Sequence, residues 1–310
     1  MKKNRTKKQK VAVNKKSFKK NLPLYVMLCL PILYFVVFKY LPLIGVSVAF
    51  KDYNVFQGIW DSPWVGLKHF KEVFESHEFY EALKNTIVLN LGELLISFPI
   101  PIALAVLLNE MSNAKLKKTT QTIMYLPHFL SMVIIAGIVY QVFGANGIVN
   151  NVLSSFGIEA INFMGNSQKW RAIYWGSSVW MGAGYGMIVY LAALAGVNVE
   201  LYDAAYADGA NRWKRIWHVT LPQLKPTIII MTIMNVGKIL SISFERPFLL
   251  GNVLVDDVSN VISTYVYSIG LQAGRYDFAT AVGLFQSVVA LCMVLGANWF
   301  AKKMGEEGIM

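Results

Sequence analysis

The chain has 310 residues, 55% of them hydrophobic and only 15% charged, with a mean hydropathy of +0.45. Soluble domains carry about a quarter charged residues, so this balance excludes an ordinary soluble enzyme. The 29 Lys and Arg against 18 Asp and Glu leave a formal charge of +11, and its placement decides between a membrane-topology signal and an anionic partner.

Ten of the 29 basic residues fall in the first 20 positions, from Lys2 to Lys20, with no acidic residue among them. Such an arm can neutralise nucleic-acid phosphates. Here it runs straight into an apolar segment and holds it by the positive-inside rule, so no nucleic-acid partner is expected. That segment, residues 22–50, exceeds the roughly 7–15 apolar residues of a signal peptide and lacks a small-residue cleavage site.

Six segments reach the roughly 20 apolar residues that a transmembrane helix needs: 22–50, 86–108, 123–142, 172–197, 227–244 and 278–301. The first contains Lys39 and Pro42, so its outer end is expected to bend or to leave the bilayer. After it, Leu67, Phe70, Phe74 and Leu83 recur at near-helical spacing among Lys68, Lys71, Glu72 and Glu75. This predicts a short amphipathic helix on the outer membrane surface or against other loops. Cys29 and Cys292 lie in apolar stretches as small hydrophobes, with no CxxC spacing to suggest a disulfide or zinc.

With the N-terminus inside, residues 1–21, 109–122, 198–226 and 302–310 carry 19 basic residues against 6 acidic ones. Loops 51–85, 143–171 and 245–277 carry 8 basic against 11 acidic. That asymmetry places both termini in the cytoplasm. The reading is an all-α integral membrane protein with three parts: a basic arm (1–21), a six-helix domain (22–301) with a cytoplasmic loop at 198–222, and a tail (302–310).

No motor or catalytic set accompanies these spans. The phosphate-cradling G-x-x-x-x-G-K-[ST] is missing: Lys16-Ser17 and Lys118-Thr119 have no glycine loop before them. Gly182, Gly184 and Gly186 have the wrong spacing for a dinucleotide turn. Gly182 and Gly186 read instead as a small-xxx-small face for close helix packing. His69, His77, His128 and His218 are too scattered to define a metal site. The chain is therefore expected to be neither an enzyme nor a holder of metal or cofactor.

The stretch 200–222 is the informative one. Acidic residues at its start suit a helix N-terminus. Ala204, Ala205, Ala207 and Ala210 leave a slim surface able to enter a groove on a partner. Gly209 permits a turn with positive φ, and Pro222 with Pro226 fits the start of the next helix. Asp203-Ala204-Ala205, three residues, Gly209, nine residues and then Val219-Thr220-Leu221-Pro222 resembles the "EAA" loop of ABC importer permease subunits. Asp203 stands for the usual Glu and Val219 for Ile. The segments 117–127, 38–42, 50–53 and 83–86 look like those of maltose-type carbohydrate permeases, in particular the LplB-like oligosaccharide and polysaccharide permeases.

The resemblance implies a type I ABC importer permease fold. It implies a coupling helix at Asp203, Ala204, Ala205, Asp208 and Gly209, completed by Leu221 and Pro222, seated in a groove of an ATPase. ATP and Mg would be bound by two cytoplasmic ATPase subunits and not by this chain. A second, similar permease in a heterodimer, an extracytoplasmic solute-binding protein and membrane lipid complete the implied partners, in the plasma membrane of a prokaryote.

Polar side chains within a bilayer usually face a cavity or another helix. Asn235, Lys238 and Ser241, spaced i, i+3 and i+6, share one broad helix face and are candidates for a substrate path. Trp180 and Tyr185 offer aromatic surfaces from the fourth span, and Gln286 an amide from the sixth. Helix-to-helix pairing, or snorkelling of Lys238, is the competing reading. Glu93 reads as a buried partner of another polar group. The function expected is uptake of a carbohydrate, an oligosaccharide, by alternating access. Rival readings are an importer of a peptide, polyamine or phosphate ester, and an ion-driven secondary transporter.

Overall fold

The computed structural model describes residues 21–303 and 305; the basic arm and most of the predicted tail lie outside them. Among the described residues, regular structure is helical apart from a single bridge between Lys51 and Trp64. Six stretches are long and apolar enough to cross a membrane: Leu22–Phe50, His77–Asn109, Met132–Ser155, Ser167–Ala195, Arg212–Gly237 and Tyr276–Lys303. One end of the bundle gathers 51–76, 144–166 and 245–275, the end predicted to be outer. The opposite end gathers 110–113 and 196–211.

The first span changes helix type where a bend was expected. An α-helix (Leu22–Phe35) passes into a π segment (Val36–Tyr40) and a 3-10 segment (Leu41–Phe50), and ends only at an extended Lys51. Pro42 lacks the amide that would continue an α ladder, and the π and 3-10 registers absorb the mismatch. Its apolar side chains are exposed on all sides from Leu22 to Ile44, as suits a helix bathed in hydrocarbon.

The second span starts at His77, nine residues before the predicted edge, because the Ser76 hydroxyl caps it by accepting from the Phe79 amide at 3.2 Å. Pro99 and Pro101 remove two amides from its middle, and the ladder widens into a π segment, Glu93–Ser97. The predicted third span is broken. Met132–Phe143 has 12 residues, about 18 Å of helix, against a hydrocarbon core of about 30 Å. Gly144–Gly147 separates it from the helix Ile148–Ser155, and a second interruption lies on its preceding side. There the helix Ala114–Tyr125 and the 3-10 turn Leu126–Phe129 lead into a break at Leu130 and Ser131.

Ser167–Ala195, the fourth span, is the hub. Trp170 donates to the Leu250 carbonyl at 2.8 Å and Trp175 to the Leu89 carbonyl at 3.0 Å. A β-carbon at Gly184 would stand 1.9 Å from the Met124 carbonyl oxygen, so this glycine lets the broken third span pass. The expected Gly182–Gly186 face is only half realised. Gly186 abuts Pro101, but Gly182 has nothing within 4 Å of a β-carbon and opens onto a cavity.

Three apolar clusters stack along the bundle: Leu89, Ile135, Trp170 and Leu250 in one, Phe79, Val73, Ile262 and Ala281 in another, and Leu108, Met187, Tyr190 and Leu224 toward the opposite end. The amphipathic helix exists as Lys68–Glu75, but its buried face is His69 and Val73, while Leu67 and Phe74 stay exposed. His69 is almost fully buried because carboxylates flank it. Its Nε2 lies 3.3 Å from Asp277 and 3.0 Å from the Lys51 carbonyl, and its Nδ1 lies 3.5 Å from Glu72. Arg275 bridges the same two acids, at 2.7 Å from Glu72 and 3.3 Å from Asp277. Burial alone would raise the Glu72 carboxyl, but hydrogen bonds and charge from Arg275 and His69 outweigh it and hold the pKa below its ordinary 4.5.

Candidate functional site

A cavity of about 300 Å³ opens between the second, fourth and fifth spans. Its depth follows from the helices that wall it. Glu93 is the central residue of the 33-residue span His77–Asn109, and Gly182 lies one residue from the centre of Ser167–Ala195. Asn90, Glu93, Ser97, Ser178, Asn235, Lys238 and Ser241 give the wall its polar groups, and Phe98, Pro101 and Tyr190 its apolar ones.

The structure brings Asn235, Lys238 and Ser241 together in this cavity, though not on one helix face. The fifth span stops at Gly237, Lys238 is its C-cap, and Ser241 follows in non-helical chain. Asn and Gly are typical helix-ending residues, and Gly237 is pressed against Val294 of the sixth span, where a β-carbon would come within 2.2 Å of its side chain. The carbonyls released by the break are taken up by neighbouring amides. Asn90 Nδ2 donates to the Ile239 carbonyl at 2.8 Å, and Gln286 Nε2 donates to the Leu240 carbonyl. Gln286 thus supports the wall from behind. Asn235 directs its own Nδ2 back to the Met231 carbonyl at 2.7 Å.

The two aromatic candidates lie elsewhere. Trp180 lines an apolar recess with Ile138, Val142, Phe143 and Ile173. Tyr185 stacks on His128 of the third span, ring centroids 4.0 Å apart and 7° from parallel.

Glu93 forms an ion pair with Arg246, whose guanidinium also lies 5.1 Å from the Tyr174 ring centroid. Sequence reasoning missed Arg246 by placing it in an outer loop. The short helix Glu245–Leu250 instead folds inward and buries Leu250. Two signals were present: an unpaired mid-membrane Glu needs a cation, and Arg246 heads the apolar run 247–250. Asn90 and Ser97 were missed as well, and the Ser97 hydroxyl is buried without a hydrogen-bond partner.

At the opposite end, the stretch 198–222 forms a helix, Val199–Ala207, whose N-cap Asn198 accepts from the Glu200 amide at 3.0 Å. It closes on Gly209 at φ +73. The Ala210 amide reaches the Ala205 carbonyl at 2.9 Å and the Gly209 amide reaches Tyr206 at 3.0 Å, the paired bonds of a Schellman cap. The chain then enters Arg212–Arg215, a π segment (Ile216–Thr220) and the fifth span without a stop. The expected separate helix start at Pro222 is therefore a continuation, with the widened ladder accommodating Pro222 and Pro226.

Asp203, Ala204, Asp208 and Gly209 are exposed, Ala205 and Leu221 half-buried and Pro222 exposed. Val199, Leu201, Tyr206 and Trp213 also present apolar surface to the outside. The loop is anchored at two points. Tyr202 and Thr220 hydroxyls meet at 3.2 Å. Glu110, just past the second span, receives Arg212 Nε at 3.1 Å and lies 3.9 Å from Arg215.

Comparison with known proteins supplies the context. The sequence profile of a family described as binding-protein-dependent transport system inner membrane component matches residues 97–306. Protein LplB of Bacillus subtilis (strain 168) is 42% identical over 294 residues, covering 94% of this chain and 92% of that protein. The polygalacturonan/rhamnogalacturonan transport system permease protein YteP of the same organism is 44% identical over 287 residues, covering 92% and 89%. A crystal structure of a bacterial ABC transporter involved in the import of the acidic polysaccharide alginate superposes with a TM-score of 0.86 at 42% identity, covering 93% of this chain and 98% of that one. A second structure of an alginate transporter, in complex with a pentasaccharide-bound periplasmic protein, gives the same TM-score.

Proposed function

Because the chain belongs to the binding-protein-dependent transport system inner membrane component family, matched over residues 97–306, we infer that it is the permease subunit of an ATP-driven importer of oligosaccharides. It is a multi-pass membrane protein with the type I permease fold and is not itself an enzyme. Relatives that act on polysaccharides, similar over nine-tenths of the chain, support a carbohydrate over a peptide, polyamine or phosphate ester. They also weigh against an ion-driven carrier.

On this reading both termini face the cytoplasm of a prokaryotic cell. The loop 198–222 docks through Asp203, Ala204, Ala205, Asp208 and Gly209 on one of two ATPase subunits, which bind the ATP and Mg. A second permease completes a heterodimer, and a solute-binding protein delivers substrate to the outer face. Closure of the ATPase pair pushes the loop, and since the loop is continuous with the fifth span, the push reaches the cavity wall and exchanges its inward- and outward-facing states. Asn235, Lys238 and Ser241 line the path.

The observation that carries this reading is the capped helix Val199–Ala207, which presents exposed apolar side chains while its end is fixed by Gly209. The complex reconstituted in proteoliposomes tests it. Gly209→Trp is expected to abolish ATP-dependent oligosaccharide uptake. Tyr206→Asp changes a side chain that is 73% exposed, spares the fold, and is expected to weaken ATPase association. Uptake and association preserved in both variants would refute the docking role.

A further inference from the structure

The charge inside the mid-membrane cavity bears on what passes through it. Glu93 is the acid in the cavity wall and it is committed to Arg246, so that pair contributes no net charge. Lys238 is left with no carboxylate within 4.0 Å among the described residues. Its position is built rather than incidental. The two residues that follow it are tethered by Asn90 of the second span and Gln286 of the sixth, which fixes where the fifth span breaks and hence where the ammonium departs. Asn90 and Gln286 each lie within four residues of the centre of their spans, His77–Asn109 and Tyr276–Lys303, which sets Lys238 near the middle of the membrane.

A lone cation at that depth is costly and marks a path or a partner. The C-terminal carbonyls of the fifth span offset part of its charge, but among the described residues no anionic side chain completes it. The remaining polar wall, Asn90, Ser97, Ser178, Asn235 and Ser241, consists of amides and hydroxyls suited to sugar hydroxyls. We propose that the cavity selects anionic saccharides, with Lys238 pairing to their carboxylate or sulfate group. This rests on the importer reading above.

The complete transporter with its binding protein provides the test. A panel of tri- to pentasaccharides is offered to the binding protein in uronate, sulfated and carboxyl-reduced neutral forms, and those that protect it against heat are taken into uptake assays. The proposal expects protection by uronate or sulfated forms, the two arms distinguishing the anion. It also expects Lys238→Gln to lower their uptake roughly ten- to hundredfold, the size of one charge-assisted hydrogen bond, while Lys238→Arg retains most of it. Protection by neutral forms only would overturn the proposal and leave the importer reading standing. Equal uptake of an anionic saccharide by wild type and Lys238→Gln would do the same. No saccharide protecting the binding protein, or none taken up with ATP, would overturn the importer reading itself.

Discussion

Gly184→Ala probes the position where, among the described glycines, an added β-carbon would meet another segment most closely. The added β-carbon would lie 1.9 Å from the Met124 carbonyl oxygen and 2.3 Å from its carbon. Carbon–oxygen contacts begin at about 3.3 Å, so the two chains must separate by about 1.4 Å. Both obstructing atoms are backbone, which leaves no side chain to swing aside; the fourth span itself must move off the helix Ala114–Tyr125. Overpacking costs about 1–3 kcal/mol, and a rigid obstruction belongs at the upper end. At about 2 °C per kcal/mol for a chain of this size, the unfolding midpoint in detergent should fall by about 4–6 °C. Gly182→Ala, two positions earlier on the same helix and with nothing within 4 Å, is the control and should shift the midpoint by no more than about a degree. Tryptophan fluorescence follows the transition, since Trp170 and Trp175 are packed on the same span. Equal midpoints for the two variants would refute the packing argument.

Three further outcomes are expected. Glu93→Gln leaves Arg246, whose side chain is 13% exposed, without its acid and should cost at most about 3 kcal/mol, whereas Glu93→Gln with Arg246→Met should regain most of it; thermal melts compare the two, and a double variant no better than the single one would count against the pair. Glu110→Gln loosens the anchor of the loop at Arg212. That arginine is 63% exposed, so stability should change by less than about 1 kcal/mol, but sugar transported per ATP hydrolysed should drop several-fold; an unchanged ratio would rule out a mechanical role. Arg275→Gln removes the main partner of Glu72. The depressed Glu72 carboxyl stabilises the fold fully above pH 4.5 and loses that contribution as pH falls through its lowered pKa. Hence the gap in midpoint between wild type and Arg275→Gln should be widest near neutrality and narrow below pH 4.5; a gap independent of pH would contradict the assignment.

The spans and the loop were legible because each rests on a local signal. Apolar length defines the first and fourth spans to within a few residues, and the spacing from Asp203 to Pro222 defines the loop. What escaped depends on contacts distant in sequence. Ser76 moved the start of the second span by capping it, a cue overlooked because the helix's first turn is polar. The third span looked continuous from 123 to 142, yet Pro127 and Ser131 divide it, and the apolar stretch begins at Met132 and runs on past a break at 144–147. Asn235, Lys238 and Ser241 were grouped for a reason that does not hold, a continuous helix. They meet in one cavity because the helix ends between them and the chain turns back along the same wall. Arg246 was hidden by the same rule that worked elsewhere: a charged residue in a loop-like stretch reads as solvated, and only Glu93 across the bundle shows otherwise.

These departures from ideal helix share a location. The π segment Glu93–Ser97, the end of the fifth span at Gly237 and the inward turn of Glu245–Leu250 all border or brace the cavity. A regular α-helix satisfies its own backbone and offers a membrane cavity only side chains. Each interruption releases carbonyls that must be bonded elsewhere, and here Asn90 and Gln286 do so from two different spans. The cavity wall is consequently cross-linked by polar contacts rather than by apolar packing alone. Such contacts are directional, so a displacement of the fifth span must either break them or carry the second and sixth spans along. The prolines at 99 and 101 and at 222 and 226 each follow a widened turn, Glu93–Ser97 in the second span and Ile216–Thr220 in the fifth, the two helices that the Glu110–Arg212 contact joins at the opposite end. Motion entering at the loop therefore meets two helices, one widened beside the loop and the other beside the cavity, that are tied together at both ends. This arrangement favours a concerted shift of the second and fifth spans over independent bending of either.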